Sequence, residues 1–368
     1  MKPTVVEISL PALRHNLHEV IRRVGAARIM AVVKANAYGH GAIPVAQALL
    51  AAGAHQLGVA RVTEGLELRH AGITAPILVM GEAVPDDIPA LQRFNLTLVL
   101  PSREAIEAVS RLVDSRSGPL GVHLKVDTGM GRLGLTREDV PMVLRSGLPA
   151  SLRLEGLMSH LASADEPDEA IYTEEQLARF RTILDAAKSS GLNFPSAHIA
   201  NSAAILRFPA SHYDMVRPGL MLYGYAPRRL PTPELQPVLT WKTRVIQVKK
   251  AGADQRISYG GTFVTQRPST LAILPVGYAD GYSRALSNKG HVLIGGRPAP
   301  VAGRVCMDLT VVDVTDHPTV RPGDEVVLLG RQGPAVITAD DLAAWQDTIS
   351  YEVLCQIGPR VTRTYQKD

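Results

Sequence analysis

The sequence predicts an α/β fold in which an N-terminal (β/α)8 barrel of the TIM type, over residues 10–232, precedes a mostly-β domain over residues 233–368. Three observations carry that expectation. Short apolar strands alternate with amphipathic helices eight times in the first two-thirds of the chain. A proline-rich stretch, Pro231-Thr-Pro-Glu-Leu-Gln-Pro237, then breaks the pattern. Beyond it the chain is rich in Val, Ile, Thr and Gly, the vocabulary of antiparallel strands.

Taken in order, the strands are expected over residues 28–33, 56–60, 76–80, 96–100, 121–126, 153–158, 197–200 and 214–217. Helices fall between them, including 43–52, 103–113 and 173–189; in the last, Leu177, Phe180, Ile183, Leu184 and Ala187 make an apolar stripe that can cover a sheet. Eight such units in roughly two hundred residues favour a closed barrel over an open doubly wound sheet. The lack of a Gly-x-Gly-x-x-Gly turn after the first strand also disfavours a dinucleotide fold. In the second domain, turns are expected at Gly260-Gly261, Gly295-Gly296 and Arg321-Pro-Gly-Asp324. Residues 1–9, with the strand-like run Val5-Val-Glu-Ile-Ser9, are expected to pair with that domain.

A chain of 368 residues exceeds one ordinary core, and 46% hydrophobic with 20% charged residues is an ordinary globular composition. The formal charge of +4 is small and its basic residues are scattered, which argues against nucleic acid as a partner. The beginning, interrupted by Pro3 and Glu7, has no continuous apolar run of the secretory kind, and runs such as 77–80 and 96–100 are strand-sized. A cytoplasmic protein without membrane association is expected. Cys306 and Cys355 are the only cysteines, too few for a disulfide framework or a zinc site, and no metal is expected.

The chemistry concentrates where a barrel would place it, on loops after the carboxyl ends of strands. Lys34 closes the first strand in Ala31-Val-Val-Lys-Ala-Asn-Ala-Tyr-Gly-His-Gly41, where apolar neighbours disfavour the ammonium form and favour a nucleophilic amine. His160 follows the sixth strand, Asn201 and Ser202 follow the seventh, and Arg217 ends the eighth. Each has a bland reading: a surface lysine, a hydrogen-bonded structural histidine, a helix cap, a surface ion pair. Their joint placement on one rim favours a site. A helix opening at Ser202, with Gly219 nearby, would offer hydroxyl and backbone N–H groups to a phosphate.

The lysine string resembles the cofactor-lysine motif of alanine racemases, bacterial pyridoxal-phosphate enzymes that interconvert L- and D-alanine. The resemblance extends through Lys125-Val-Asp-Thr-Gly-Met-Gly-Arg132, Ala200-Asn-Ser-Ala-Ala204, Val216-Arg-Pro-Gly219 and Gly277-Tyr-Ala-Asp-Gly281. It implies that Lys34 holds pyridoxal phosphate as a Schiff base and moves a proton on one face of the substrate Cα. The opposite base is implied to be Tyr259, in Ser258-Tyr-Gly-Gly261, delivered from the other subunit of a head-to-tail homodimer. By the same resemblance His160 contacts Tyr259 and meets Arg217, which points at the pyridine nitrogen and keeps it unprotonated. Tyr38, Ser202, Gly219, Leu220 and Tyr351 match phosphate-holding positions, and Asn201 lies in the same cofactor-binding string. Arg132 matches an arginine that reaches the cofactor's phenolic oxygen and the substrate carboxylate, and Lys125 a lysine often carbamylated to orient that arginine. Met307, in Arg304-Val-Cys-Met-Asp308, matches a backbone donor to the carboxylate, while Asp165, Tyr278 and Arg284 match residues that narrow the entrance.

The implied function is an alanine racemase, supplying D-alanine for peptidoglycan or consuming it. Gly261 and Phe263 depart from the alanine and tyrosine often found there, which leaves the tyrosine base in place. A broader racemase of the same fold is the first rival, since one methylene is worth only about 1–3 kcal/mol in a pocket. A barrel-type amino-acid decarboxylase needs no opposite-face tyrosine, and a noncatalytic cofactor-binding protein would leave the β domain unexplained.

Overall fold

The computed structural model describes residues 3–81, 83–191, 194–226, 234–317 and 319–366. The chain divides into two compact units, one of residues 12–37 and 42–236, the other of residues 1–11, 38–41 and 237–368. The boundary expected between 232 and 233 lies outside the described residues, and the division falls between Gln236 and Pro237.

After β1 (Val5–Ser9), the larger unit supplies β2 (Arg28–Val32), β3 (Gln56–Val59), β4 (Ile77–Val79), β5 (Thr97–Leu100), β6 (Leu120–Lys125), β7 (Leu152–Met158), β8 (Ala197–His198) and β9 (Met215–Val216). They form one parallel sheet in the order β8-β7-β6-β5-β4-β3-β2-β9. Backbone hydrogen bonds from Asp214 N–H to Ala197 O (3.2 Å) and from Arg217 N–H to Ala200 O (2.9 Å) bring the two end strands together. This is the barrel expected from sequence, with its last two strands shortened to pairs of residues. Met30, Leu78, Val99, Met158 and Met215 pack as one buried cluster inside it, with Met80 against them. Unbranched methionine suits such an irregular interior, because its flexible thioether fills gaps that branched side chains leave.

One helix differs from its expected face. In Ala170–Ser189, Phe180, Leu184 and Ala187 are buried as predicted, but Leu177 and Ile183 are only half-buried, and Thr173 and Gln176 complete the stripe instead. The reason is local: Gln176 exchanges hydrogen bonds with backbone at 160 and 162, so an amide replaces hydrocarbon at that end of the interface.

The second unit is mostly β. A large sheet runs β16 (Arg297–Pro300), β15 (His291–Ile294), β18 (Glu325–Gln332), β10 (Leu239–Arg244), β1, β20 (Thr362–Gln366), with β19 (Ala335–Ile337) paired to β18. Strand β1 is antiparallel to β10 and parallel to β20, which ties residues 5–9 to residues 362–366. A three-stranded sheet joins β11 (Gln247–Ala251), β14 (Ser269–Leu274) and β17 (Thr310–Asp313), and β12 (Arg256–Ile257) pairs with β13 (Phe263–Val264). Buried Trp241 meets Tyr282 edge to face at 5.9 Å. Two short helices, Ala339–Gln346 and Ser350–Gln356, complete the unit. No helix among the described residues is long and apolar enough to cross a membrane.

The lysine motif is divided between the units. Immediately after Lys34, Ala35, Asn36 and Ala37 take φ of 53° with ψ of 46–51°, and Tyr38 continues at φ 52°, a left-handed turn of four non-glycine residues. Such a conformation costs roughly 1–2 kcal/mol per L-residue, so something must hold it. The Glu64 carboxylate accepts from Ala35 N–H (2.6 Å) and also from Ala60 N–H (2.7 Å) and Arg61 N–H (3.0 Å). Asn36 Oδ1 accepts from Ala42 N–H at 2.7 Å. Residues 38–41 belong instead with the β unit, where Arg363 donates to Gly39 O at 3.0 Å and the Tyr365 hydroxyl to His40 O at 3.2 Å. Gly39 has φ 81°, and a Cβ there would lie 2.3 Å from Leu354 O, so only glycine fits.

Because Ala35 is exposed and left-handed, Ala35→Gly is expected to leave stability unchanged or raise it by up to about 1 kcal/mol, whereas the same change in a right-handed helix costs roughly 1 kcal/mol. Urea denaturation monitored by far-UV circular dichroism measures this; a loss larger than about 1 kcal/mol would contradict the assigned strain.

Candidate active site

The turn leaves Lys34 half-buried just past β2. At the same carboxyl ends, Lys125 is the last residue of β6, His160 lies two residues past β7, and Arg217 directly follows β9. Their fields overlap. Burial, then Arg217, Lys125, Arg132 and Lys34 in that order, push the His160 imidazole down to about 3. Burial and the Arg132 charge are the main causes that bring Lys125 down to about 8, with Arg217 and Lys34 adding and Asp127 opposing. The loop beyond Lys125 is shaped by Asp127, whose carboxylate accepts from the N–H groups of Gly129 (2.8 Å), Met130 (2.8 Å) and Gly131 (2.9 Å), and it ends on exposed Arg132.

Arg217 is buried and spends its guanidinium on neutral acceptors. It donates to Ser159 O (2.7 Å), Ile199 O (3.2 Å), His198 Nδ1 (2.8 Å) and His160 Nδ1 (3.2 Å). Because a guanidinium can only donate, both Nδ1 atoms are acceptors and both neutral rings carry their proton on Nε2. His198 Nε2–H therefore donates to His123 Nδ1, at 2.7 Å. Gly156 leaves room for this pair, since a Cβ there would lie 2.6 Å from His123 Nδ1.

The expected phosphate region also assembles. Asn201 caps the helix Ser202–Arg207 by accepting from Ala204 N–H at 3.0 Å, the plainer of its two readings. Ser202 Oγ accepts from Gly219 N–H (3.0 Å) and Met221 N–H (3.3 Å). Gly219 N–H is thus engaged internally rather than open, and the group Ser202 retains for a ligand is its hydroxyl proton. Leu220 beside it is buried, and Asp165, in the loop after β7, is half-buried.

In the β unit, Tyr38 and half-buried Tyr351 are ring neighbours at 6.1 Å, and burial chiefly raises the Tyr38 phenol. Tyr259 is 70% exposed and follows Ser258, itself at φ 62° with its hydroxyl donating to Arg304 O at 2.6 Å. Ser258 Oγ lies 3.5 Å from Cys306 Sγ, and the N–H groups of Tyr278 and Ala279 donate to the carbonyls of Cys306 and Met307, both at 3.0 Å. Tyr259, Tyr278 and Met307 thus share one neighbourhood of that unit. Arg284 is exposed on a short helical turn.

The barrel unit therefore gathers Lys34, Lys125, Arg132, His160 and Arg217 in one cluster and Ser202, Gly219 and Leu220 in another. Sequence reasoning missed Glu64, His123, Gln176 and His198. His123 alternates with apolar neighbours in β6, but nothing in a linear reading distinguishes an inward histidine from an outward one. As a donor set, a nucleophilic amine, a fixed guanidinium and a serine hydroxyl suit a ligand with an aldehyde, a basic ring nitrogen and a phosphate.

Comparison with known proteins agrees in extent and in family. The model of the alanine racemase N-terminal domain matches residues 8–227 and that of the C-terminal domain residues 238–365. An alanine racemase of Halothermothrix orenii is 48% identical over 369 residues, covering 99% of this chain and 97% of that one. One of Carboxydothermus hydrogenoformans is 46% identical over 368 residues, covering 99% and 100%. Among solved structures, the alanine racemase of D-cycloserine-producing Streptomyces lavendulae has a TM-score of 0.94 at 36% identity, covering 100% of this chain and 98% of that chain. That of Bacillus anthracis with bound L-Ala-P has a TM-score of 0.92 at 35% identity, covering 100% and 96%.

The buried histidines make acid stability a test of this geometry. Burial and then Arg217 hold His123 down to about 3 and His198 well below 6.5. Below pH 6.5 the unfolded chain takes up protons that these folded rings refuse, so stability falls with pH by up to about 1.4 kcal/mol per unit for each ring. Between pH 6.5 and 5, denaturation of His123→Asn is expected to show a shallower slope than the parent by about that amount. An unchanged slope would mean that His123 is already protonated in the folded protein.

Proposed function

The chain belongs to the alanine racemase family, pyridoxal-phosphate-dependent isomerases that interconvert L- and D-alanine, and on that footing we propose that Lys34 and Tyr259 are the two bases of its reaction. The observation that supports the reading is the placement of Lys34, Lys125, His160 and Arg217 at the carboxyl ends of the barrel strands, with Arg217 donating to His160 Nδ1 at 3.2 Å. Pyridoxal phosphate, when bound, supplies the electron sink that makes the substrate Cα–H acidic.

Inversion requires a proton to leave one face of Cα and another to arrive on the opposite face. Lys34 holds the cofactor and handles one face, and Tyr259 handles the other. A tyrosine has an ordinary pKa of about 10, so it needs a hydrogen-bonding partner to act near neutrality. His160, with its proton on Nε2 and its Nδ1 held by Arg217, is the donor assigned to that role. Arg217, having only protons to donate and none to release readily, would hold the cofactor's pyridine nitrogen in its unprotonated form, which would disfavour misplaced protonation.

Tyr38, Ser202, Gly219, Leu220 and Tyr351 are assigned to the phosphate, with Asn201 capping the helix that Ser202 opens. Arg132 and the Met307 backbone N–H receive the substrate carboxylate, and Asp165, Tyr278 and Arg284 narrow the entrance. Lys125, at about 8, has enough neutral amine near neutrality to take up CO2 as a carbamate, which would turn a cation beside Arg132 into an anionic acceptor. Tyr259 comes from the second subunit of a head-to-tail homodimer. In support, Tyr259, Tyr278, Met307 and Leu309 are all more than 40% exposed on the β unit, large apolar surface better suited to a second copy than to water. The pyridoxal-phosphate-binding barrel is assigned to residues 10–232 and the β domain to 233–368. A cytoplasmic enzyme supplying D-alanine for peptidoglycan, or consuming it, completes the reading.

With L-alanine in D2O, the enzyme is expected to exchange Cα–H and lose optical rotation without releasing CO2. Release of CO2, or an intact cofactor with no exchange, would refute the racemase. In Tyr259→Phe the cofactor's absorbance is expected to persist while kcat/KM from L-alanine falls by about 10²–10⁴; loss of the absorbance instead would assign Tyr259 to cofactor binding.

A further inference from the structure

A polar side chain in the middle of a packed helix face needs a reason, because an amide buried without partners costs more than it returns. Gln176 is fully buried on the helix Ala170–Ser189 and has three partners. Its Oε1 accepts from Ala162 N–H at 2.9 Å. Its Nε2 donates to His160 O at 3.1 Å and to Thr128 Oγ1 at 3.3 Å. One amide therefore grips the loop after β7 on both sides of Leu161 and ties it to the loop after β6 that leads to Arg132.

The connection continues inward. Thr128 Oγ1 lies 2.9 Å from Ser159 Oγ, which donates to Val126 O at 2.8 Å, and Ser159 O is the acceptor nearest the Arg217 guanidinium. One turn further along the helix, Arg179 donates to Thr128 O at 2.9 Å, so the helix holds the loop beyond Lys125 at two points. A leucine at 176 would fill similar volume but leave the His160 carbonyl and the Ala162 N–H without these partners. We propose that Gln176 is a positioning residue for the racemisation: it sets the distance of the His160 imidazole from Arg217 and couples that imidazole to the loop carrying Arg132. The proposal rests on the assignment of His160 and Arg132 to the reaction given above.

The test compares holoenzyme variants Gln176→Leu, Gln176→Glu and His160→Asn for kcat and KM in both directions across pH, with cofactor absorbance and melting temperature recorded for each. Gln176→Leu is expected to lower kcat by about tenfold to a hundredfold with cofactor retained and KM little changed. In Gln176→Glu the protonated carboxyl can still donate to the His160 carbonyl, and the ionised one cannot. Its kcat is therefore expected to rise toward the parent's as pH falls, a limb the parent lacks, which a purely structural role would not produce. Parental kcat per bound cofactor in Gln176→Leu overturns the proposal. Should that variant lose its fold or cofactor, Gln176→Glu decides: a pH profile parallel to the parent's overturns it. If His160→Asn is as fast as the parent, the assignment of His160 itself fails; if His160→Asn is slow while Gln176→Leu is fast, only the role of Gln176 fails.

Discussion

The barrel unit is organised around one buried cation. Arg217 sits where the sheet's two end strands meet, its own N–H bridging to Ala200 O, and its guanidinium is satisfied by carbonyls and imidazoles. Burying a charge among neutral acceptors is expensive, and it lowers the arginine to about 10, still protonated at any physiological pH. What that charge does is set the state of its surroundings. It contributes to keeping His123, His160 and His198 neutral and to lowering Lys125, and its donor-only chemistry fixes the tautomers of the imidazoles it touches. Remove it and three rings regain a choice of proton position.

The cluster around it is strongly cationic, and that has a thermodynamic side. Arg132, Arg217 and Lys34 each make ionisation of Lys125 more costly, and these three with Lys125 do the same to His160. A ligand bringing a phosphate and a carboxylate would offset this repulsion, so the holoenzyme should resist denaturation better than the protein alone by mass action as well as by charge compensation.

The strands, the barrel and the lysine, histidine and arginine of the rim were legible because apolar periodicity and position after a strand are local properties of the chain. Other features were not, for reasons particular to each. The stripe on Ala170–Ser189 was read from hydrophobicity, which chose Leu177 over Gln176; only the partners at 128, 160 and 162 make an amide the better occupant. Glu64 looks like a helix-surface acid until its carboxylate is seen to gather three backbone N–H groups, one of them Ala35's. Residues 38–41 read as a continuation of the barrel, yet they belong with the β unit through Arg363 and Tyr365, partners more than three hundred residues away that no periodicity reports.

The left-handed turn after Lys34 has a stereochemical meaning of its own. At φ 53° and ψ of 46–51°, Ala35 and Ala37 occupy the mirror image of the ordinary helical well, the region native to residues of the opposite configuration. A semisynthetic chain carrying D-alanine at those two positions would keep the backbone path that L-alanine adopts only under restraint. The segment that follows Lys34 is thus folded as though its alanines were of the opposite configuration, D-alanine, one of the two enantiomers that this family interconverts.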